Sequence, residues 1–228
     1  MTRLPGPPDE GCDALVHGSL LSPVIRRDVA DLNREFLELA LACELAGDPR
    51  FAWSDAVRQS LVATDEATRA RMAASPFTFF ELRLPPAGPC GVAVPGGIAD
   101  SARALVASDI AGRCASFVHL ALFLAWRLAD AAPLATCIAL GLPPAAESRL
   151  HEMSPSRLVQ LAAWPGIIRP RWPAHVKFWS LLAAASRGSS VVALQWAHCI
   201  GICLLDAAPA GGTGPHAGEG SPGRRLRR

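Results

Sequence analysis

The chain has no tyrosine, three methionines and one lysine, Lys177, in 228 residues, and only 6% of it is aromatic. That scarcity argues against a β-sandwich or barrel, whose strands draw on aromatic and β-branched residues. Alanine and leucine dominate instead, which favours helices, and the expected fold class is all-α. Also missing are a glycine-rich phosphate loop, a paired CxxC, a metalloprotease helix and a Gly-x-Ser-x-Gly elbow. Serine, histidine and aspartate occur, but nothing in the spacing groups them, so no enzyme and no cofactor is expected.

Seven cysteines are present, yet their spacing is not that of a disulfide framework. Cys12, Cys43, Cys90, Cys114 and Cys137 are isolated, and only Cys199 and Cys203 lie one helical turn apart. Those two thiols beside His198 fall short of the four ligands zinc wants, and in an Ala/Ile/Leu-rich helix they read as small buried hydrophobes. No metal is therefore expected. The odd count and the lack of a signal peptide point to a reducing cytosol.

Long apolar runs are likewise few. Cys114–Trp126 is uncharged, but thirteen residues between Arg113 and Arg127 are too short to span a bilayer. Gly188–Leu205 reaches eighteen residues yet carries Ser189, Ser190, Gln195 and His198, the pattern of a core helix. No membrane partner is expected.

What is there is an ordered series of helical signals. Residues 1–21 hold Pro5, Pro7 and Pro8 without period and read as a disordered leader. From Ile25 to Ala46 apolar residues at Val29, Leu32, Phe36, Leu39, Ala40 and Cys43 trace one helical stripe. Helices are then expected at Trp53–Val62, after a Thr64 cap, and from Ser75-Pro76 onward. Residues 86–99 form a Pro/Gly linker. Beyond it, 100–207 repeats the helical pattern, and 208–228 is a disordered tail ending Arg224-Arg225-Leu226-Arg227-Arg228.

The repetition has a definite offset. Asp28-Val29-Ala30 and Phe36–Leu41 are answered by Asp109-Ile110-Ala111 and Phe117–Leu122, eighty-one residues later. Ser75-Pro76 is answered by Ser154-Pro155, seventy-nine later. One helical unit occurring twice, at 22–85 and 100–207, accounts for both echoes.

Ser154-Pro155-Ser156-Arg157-Leu158-Val159-Gln160-Leu161-Ala162 opens the closing stretch with a capped amphipathic helix. A basic reversal, Arg169-Pro170-Arg171-Trp172, follows, then helical runs Ala174–Ala185 and Ser190–Leu205 separated by Ser186-Arg187-Gly188. Two runs around a short turn have the shape of a helix-turn-helix. Charge agrees with a polyanion on this side. Asp28 to Arg83 holds ten acidic and six basic residues, a balance of −4, whereas Asp109 to Asp206 holds five acidic and eight basic, a balance of +3.

These parts, in this order, resemble the FlhD-type subunit of the flagellar master transcriptional regulator. The resemblance runs over about a hundred residues: the apolar helix Asp109–Trp126, Leu140-Gly141-Leu142 leading to Leu150, Ser154–Ala162, the basic exit, and Leu194-Gln195-Trp196-Ala197-His198. Pro170 replaces an aromatic of that family's exit, and the last helix is greasier. The resemblance implies a transcription regulator acting on DNA with a FlhC-like partner. Arg187, Gln195 and His198 would then face bases, and Arg169, Arg171 and Lys177 would hold phosphates. Since FlhD-like subunits pair, two units in one chain imply an intramolecular pseudo-dimer in which Phe36, Leu39 and Leu41 face Phe117, Leu120 and Leu122; a homodimer is the other arrangement. The competing reading is a helical interaction module that has lost the DNA face and modulates such a regulator.

Overall fold

A computed structural model describes residues 21–47, 51, 53–85, 101–164, 166–188 and 190–207, with backbone alone for 101–108 and 206–207. Apart from Leu21, the expected leader lies outside these residues, as do the linker and the basic tail. The described chain is mainly helical: nine helices and a two-stranded ribbon.

Helix α1 (Pro23–Leu45) starts where a serine-proline pair says it should. Ser22 Oγ accepts the Ile25 N–H at 3.3 Å, and Pro23 takes the first helical position. Its buried residues, including Val29, Phe36, Ala40 and Cys43, keep the three-to-four spacing of one face. α2 (Asp55–Val62) begins two residues after the expected Trp53. α3 (Glu66–Ala73) is capped by Asp65, not Thr64: Asp65 Oδ1 accepts the Thr68 N–H at 2.7 Å. The Thr64 hydroxyl donates back to the Leu61 carbonyl instead.

No helix follows Ser75-Pro76. The Ser75 hydroxyl also points backward, donating to the Met72 carbonyl at 2.7 Å. Beyond it the buried Asn33 of α1 holds the backbone open. Its amide donates to the carbonyls of Ala73 (3.1 Å) and Phe77 (2.8 Å), and its oxygen accepts the Phe79 N–H at 2.9 Å. A segment bound in this way leads into β1 (Phe80–Leu82) rather than into a helical ladder. The expected helical class holds, and the one addition to it is a short ribbon: β1 pairs antiparallel with β2 (Ile168–Pro170), Glu81 opposite Arg169.

Between the strands run α4 (Ser101–Ala131), α5 (Pro133–Leu140), α6 (Pro144–His151) and α7 (Pro155–Ala162). Gly141 ends α5 at φ +59°, and Ser154 caps α7 by accepting the Arg157 N–H. α8 (Val176–Arg187) and α9 (Val191–Ala207) close the fold. α4 packs on α1, α5, α6 and α7, whereas α8 packs on α2, α3 and α9. One stretch of α4, Asp109–Ala131, is long and apolar enough to cross a membrane; here it lies against four other helices.

The paired stripes meet. Phe36 and Phe117 stack with ring centroids 5.9 Å apart, Phe80 joins Phe117 at 5.1 Å, and Cys43 Sγ lies 4.0 Å from Cys114 Sγ. Phe36, Leu39, Phe117 and Leu122 are buried and Leu41 is half-buried against the same core. Leu120 departs from the expectation: it is 52% exposed, at an open groove between α4 and α1 that Asp28, Asp31 and Glu35 also line.

Candidate functional site

The closing pair α8–α9 rests on an aromatic floor. Trp172, Phe178 and Trp179 come from the approach to α8 and its first turn, and Phe77 and Phe79 from the segment that Asn33 holds. Trp172 and Phe178 lie 4.7 Å apart, Phe79 and Trp179 5.1 Å, and Trp53 and Trp179 4.9 Å. Edge-to-face contacts of this kind add to the area the rings bury. The His175 ring accepts the Phe178 N–H at 3.2 Å and so caps α8. Trp179 Nε1 donates to the Trp172 carbonyl at 3.0 Å, which satisfies the polar atom of a fully buried indole.

The far end of α8 is held from α3. Arg71 donates through Nε to the Ser186 carbonyl and through Nη2 to the Arg187 carbonyl at 3.5 Å. A cation at a helix C-terminus meets unsatisfied carbonyls and the negative end of the dipole. The bend between the two helices is therefore tied to the N-terminal half of the chain.

α9 sits on this floor through its small residues. An added Cβ at Gly201 would lie 2.2 Å from Phe77 Cζ, so glycine is what lets the helix approach the ring. Ala197, one turn earlier, is fully buried. His198 stands edge-on to Phe77, centroids 6.2 Å apart, with its Nε2 buried and without a hydrogen-bond partner among the described residues. Burial pushes its pKa below the ordinary 6.5.

Of the six residues expected at DNA, four face solvent and two do not. Arg169 on β2, Lys177 and Arg187 on α8, and Gln195 on α9 are exposed. Lys177 and Arg187 are ten residues apart, about 15 Å along the helix, and present two separate charges rather than one fork. Arg171 is 5% exposed, which removes it from any duplex surface; its guanidinium lies against Gly141, whose missing side chain leaves it room. His198 likewise turns toward the floor, out of line with Gln195.

The outer side of α9 carries what the sequence reading passed over. Val192, Trp196, Cys199 and Cys203 follow one another at four-, three- and four-residue steps and are all exposed, Trp196 at 65%. Val191 and Ile202 flank them, also exposed. The two thiols expected to be buried are thus at the surface, because Ala197 and Gly201 take the inward positions. The available signal was that α9 is apolar around its whole circumference, so whichever side packs, an apolar side remains outside. Among the described residues no group of three His, Cys, Asp or Glu side chains is assembled to hold a metal. Searches for similar proteins returned no matching family model, curated protein or solved structure.

Proposed function

We propose that this chain is a helical regulatory subunit that works by docking a protein partner on the outer face of α9. The observation that supports this reading is the continuous stripe Val192, Trp196, Cys199 and Cys203, capped by a tryptophan 65% exposed. Tryptophan is among the residues that most often dominate binding energy at interfaces, where it fills a pocket on the partner. By its resemblance to the FlhD type, the partner is a FlhC-like subunit, and the pair regulates transcription on DNA, with α8–α9 as the helix-turn-helix-like element. Arg169, Lys177 and Arg187 supply phosphate contacts at the edge of that assembly, and Gln195, next to Trp196, sits where the docked partner and DNA meet.

The packing of the Phe36 stripe of α1 on the Phe117 stripe of α4 supports the tandem reading, in which two FlhD-like units form their pair within one chain. The different fates of Ser75 and Ser154 set a limit on that reading: the first unit has lost the helix that its counterpart caps.

Titration calorimetry of the full chain with a purified FlhC-type subunit tests the docking. Binding is expected, and Trp196→Ser weakens it by at least about 2 kcal/mol. No heat with the native chain, or full affinity in the variant, overturns the reading.

A second reading, an interaction module without DNA contact, is favoured by the inward turn of Arg171 and His198. Fluorescence anisotropy with duplex DNA over a salt series separates the two. Three phosphate contacts give a log–log slope of roughly −2.7 for the regulator, whereas the pure module shows no binding even at low salt.

A further inference from the structure

Arg171 is the least accommodated group among the described residues. Its side chain is 5% exposed, and neither Nη1 nor Nη2 has a hydrogen-bond acceptor among those residues. Desolvation lowers its pKa to about 10 while Glu81 pulls it back up, so the guanidinium is still charged at neutral pH. A buried cation without a bonded partner is strongly destabilising, and the usual resolution is an anion that reaches it.

The surroundings have the shape for one. Arg171 borders a cavity of about 600 Å³, also lined by Glu81, Arg83, Gly141, Arg169 and Trp172. That volume is in the range of small-molecule sites. Glu81 is already engaged, accepting from Arg83 Nε at 2.5 Å. Three guanidiniums against one carboxylate leave the wall with a net charge of +2. Gly141 holds the space open: at φ +59° a side chain is disfavoured, and an added Cβ would stand 2.2 Å from Arg171 Nη2 and 2.8 Å from Cζ.

We infer that this cavity, between the β1–β2 ribbon and the turn after α5, binds a small molecule through its oxyanion, a carboxylate or a phosphate, with Arg171 as the buried fork. Arginine presents parallel N–H donors that match either oxyanion in bidentate fashion. Arg169, exposed on the adjoining strand, meets the same ligand at the rim. A duplex backbone is excluded by the depth of Arg171. The site is independent of the docking face on α9 and stands or falls without it.

Thermal denaturation of the full chain at constant ionic strength tests it, with chloride exchanged for inorganic phosphate in one arm and for succinate in the other. The melting temperature is expected to climb with concentration in at least one arm, and the arm with the larger rise identifies the oxyanion. Arg171→Met is expected to melt higher than the native chain in chloride, since it removes the unpaired charge, and to lose the anion response. General salting effects act on both proteins alike. Arg169→Met, altered only at an exposed position, is expected to bind the preferred anion at least about tenfold more weakly. A native chain that responds to neither anion beyond chloride overturns the site, and so does a response of native size in Arg171→Met. Where Arg171→Met does not fold, an undiminished response in Arg169→Met has the same force.

Discussion

Helices α8 and α9 are neighbours in the chain, both rich in apolar residues, and they meet water in opposite ways. α8 buries Phe178, Trp179, Leu182 and Ala183 and turns Lys177, Ser180 and Arg187 outward. α9 buries Ala197 and Gly201 and leaves Val192 and Trp196 outside. In α8 the polar residues leave only one side that can go in. In α9 nearly any side could, and the choice falls to the side with the least bulk, because Phe77 already occupies the floor. Hydrophobicity alone thus anchors one helix and leaves the other with an apolar face to spare.

The contrast is broken most directly at its two tryptophans. Trp179→Ala should cost about 3–5 kcal/mol in chemical denaturation, the range for deleting a large core aromatic. Trp196→Ala should stay within about 0.5 kcal/mol of the native chain. Equal losses at the two sites would erase the distinction between the buried anchor and the exposed apolar face.

Asn33 supports the floor beneath both helices. Asn33→Ala leaves two carbonyls and the Phe79 N–H without their partner, and a loss of about 2–4 kcal/mol is expected in the same assay. Gly201→Ala sharpens the comparison on the α9 side only. Its methyl group collides with the Phe77 ring, and the expected cost is about 1–3 kcal/mol, with near-ultraviolet dichroism reporting the displaced aromatics. Arg71→Ala removes the hold on the end of α8. About 0.5–1 kcal/mol should be lost, together with faster amide exchange around Gly188.

The smallest effect is a pH dependence. The His198 pKa is lowered in the folded chain, so on acidification the unfolded chain takes up a proton first. The folded state keeps its full stability above about 6.5 and loses some as pH falls below that value. Denaturation midpoints measured from pH 8 to 5 should decline less steeply in His198→Phe than in the native chain.

Much of the helical framework was legible from local signals. Ser154-Pro155 starts α7 as read, Ser22-Pro23 starts α1 by the same local chemistry, and the stripe through Val29, Phe36 and Cys43 faces the core. Ser75-Pro76 carries the same signature and starts nothing. Its fate depends on Asn33, forty-two residues earlier, which competes for the backbone that a helix would have used. The candidate site was legible in part. Lys177, Arg187, Gln195 and Arg169 lie at the surface as expected, but Arg171, two residues from Arg169, is buried against Gly141, where the absence of a side chain leaves room for its guanidinium. Nothing local marks which of two arginines will be buried.

The amino-acid sequence alone determined where α1 and α7 begin and which stripe of α1 goes inside, since capping and periodicity act over a few residues. Tertiary structure alone decided which side of α9 is exposed, that Arg171 lies beside a cavity, and that the chain after Ser75 is extended. In each case the deciding atom comes from a remote element: Phe77 under Gly201, the open turn at Gly141 and the Asn33 amide. Burial and strand pairing depend on what stands opposite, and a linear reading does not contain that neighbour.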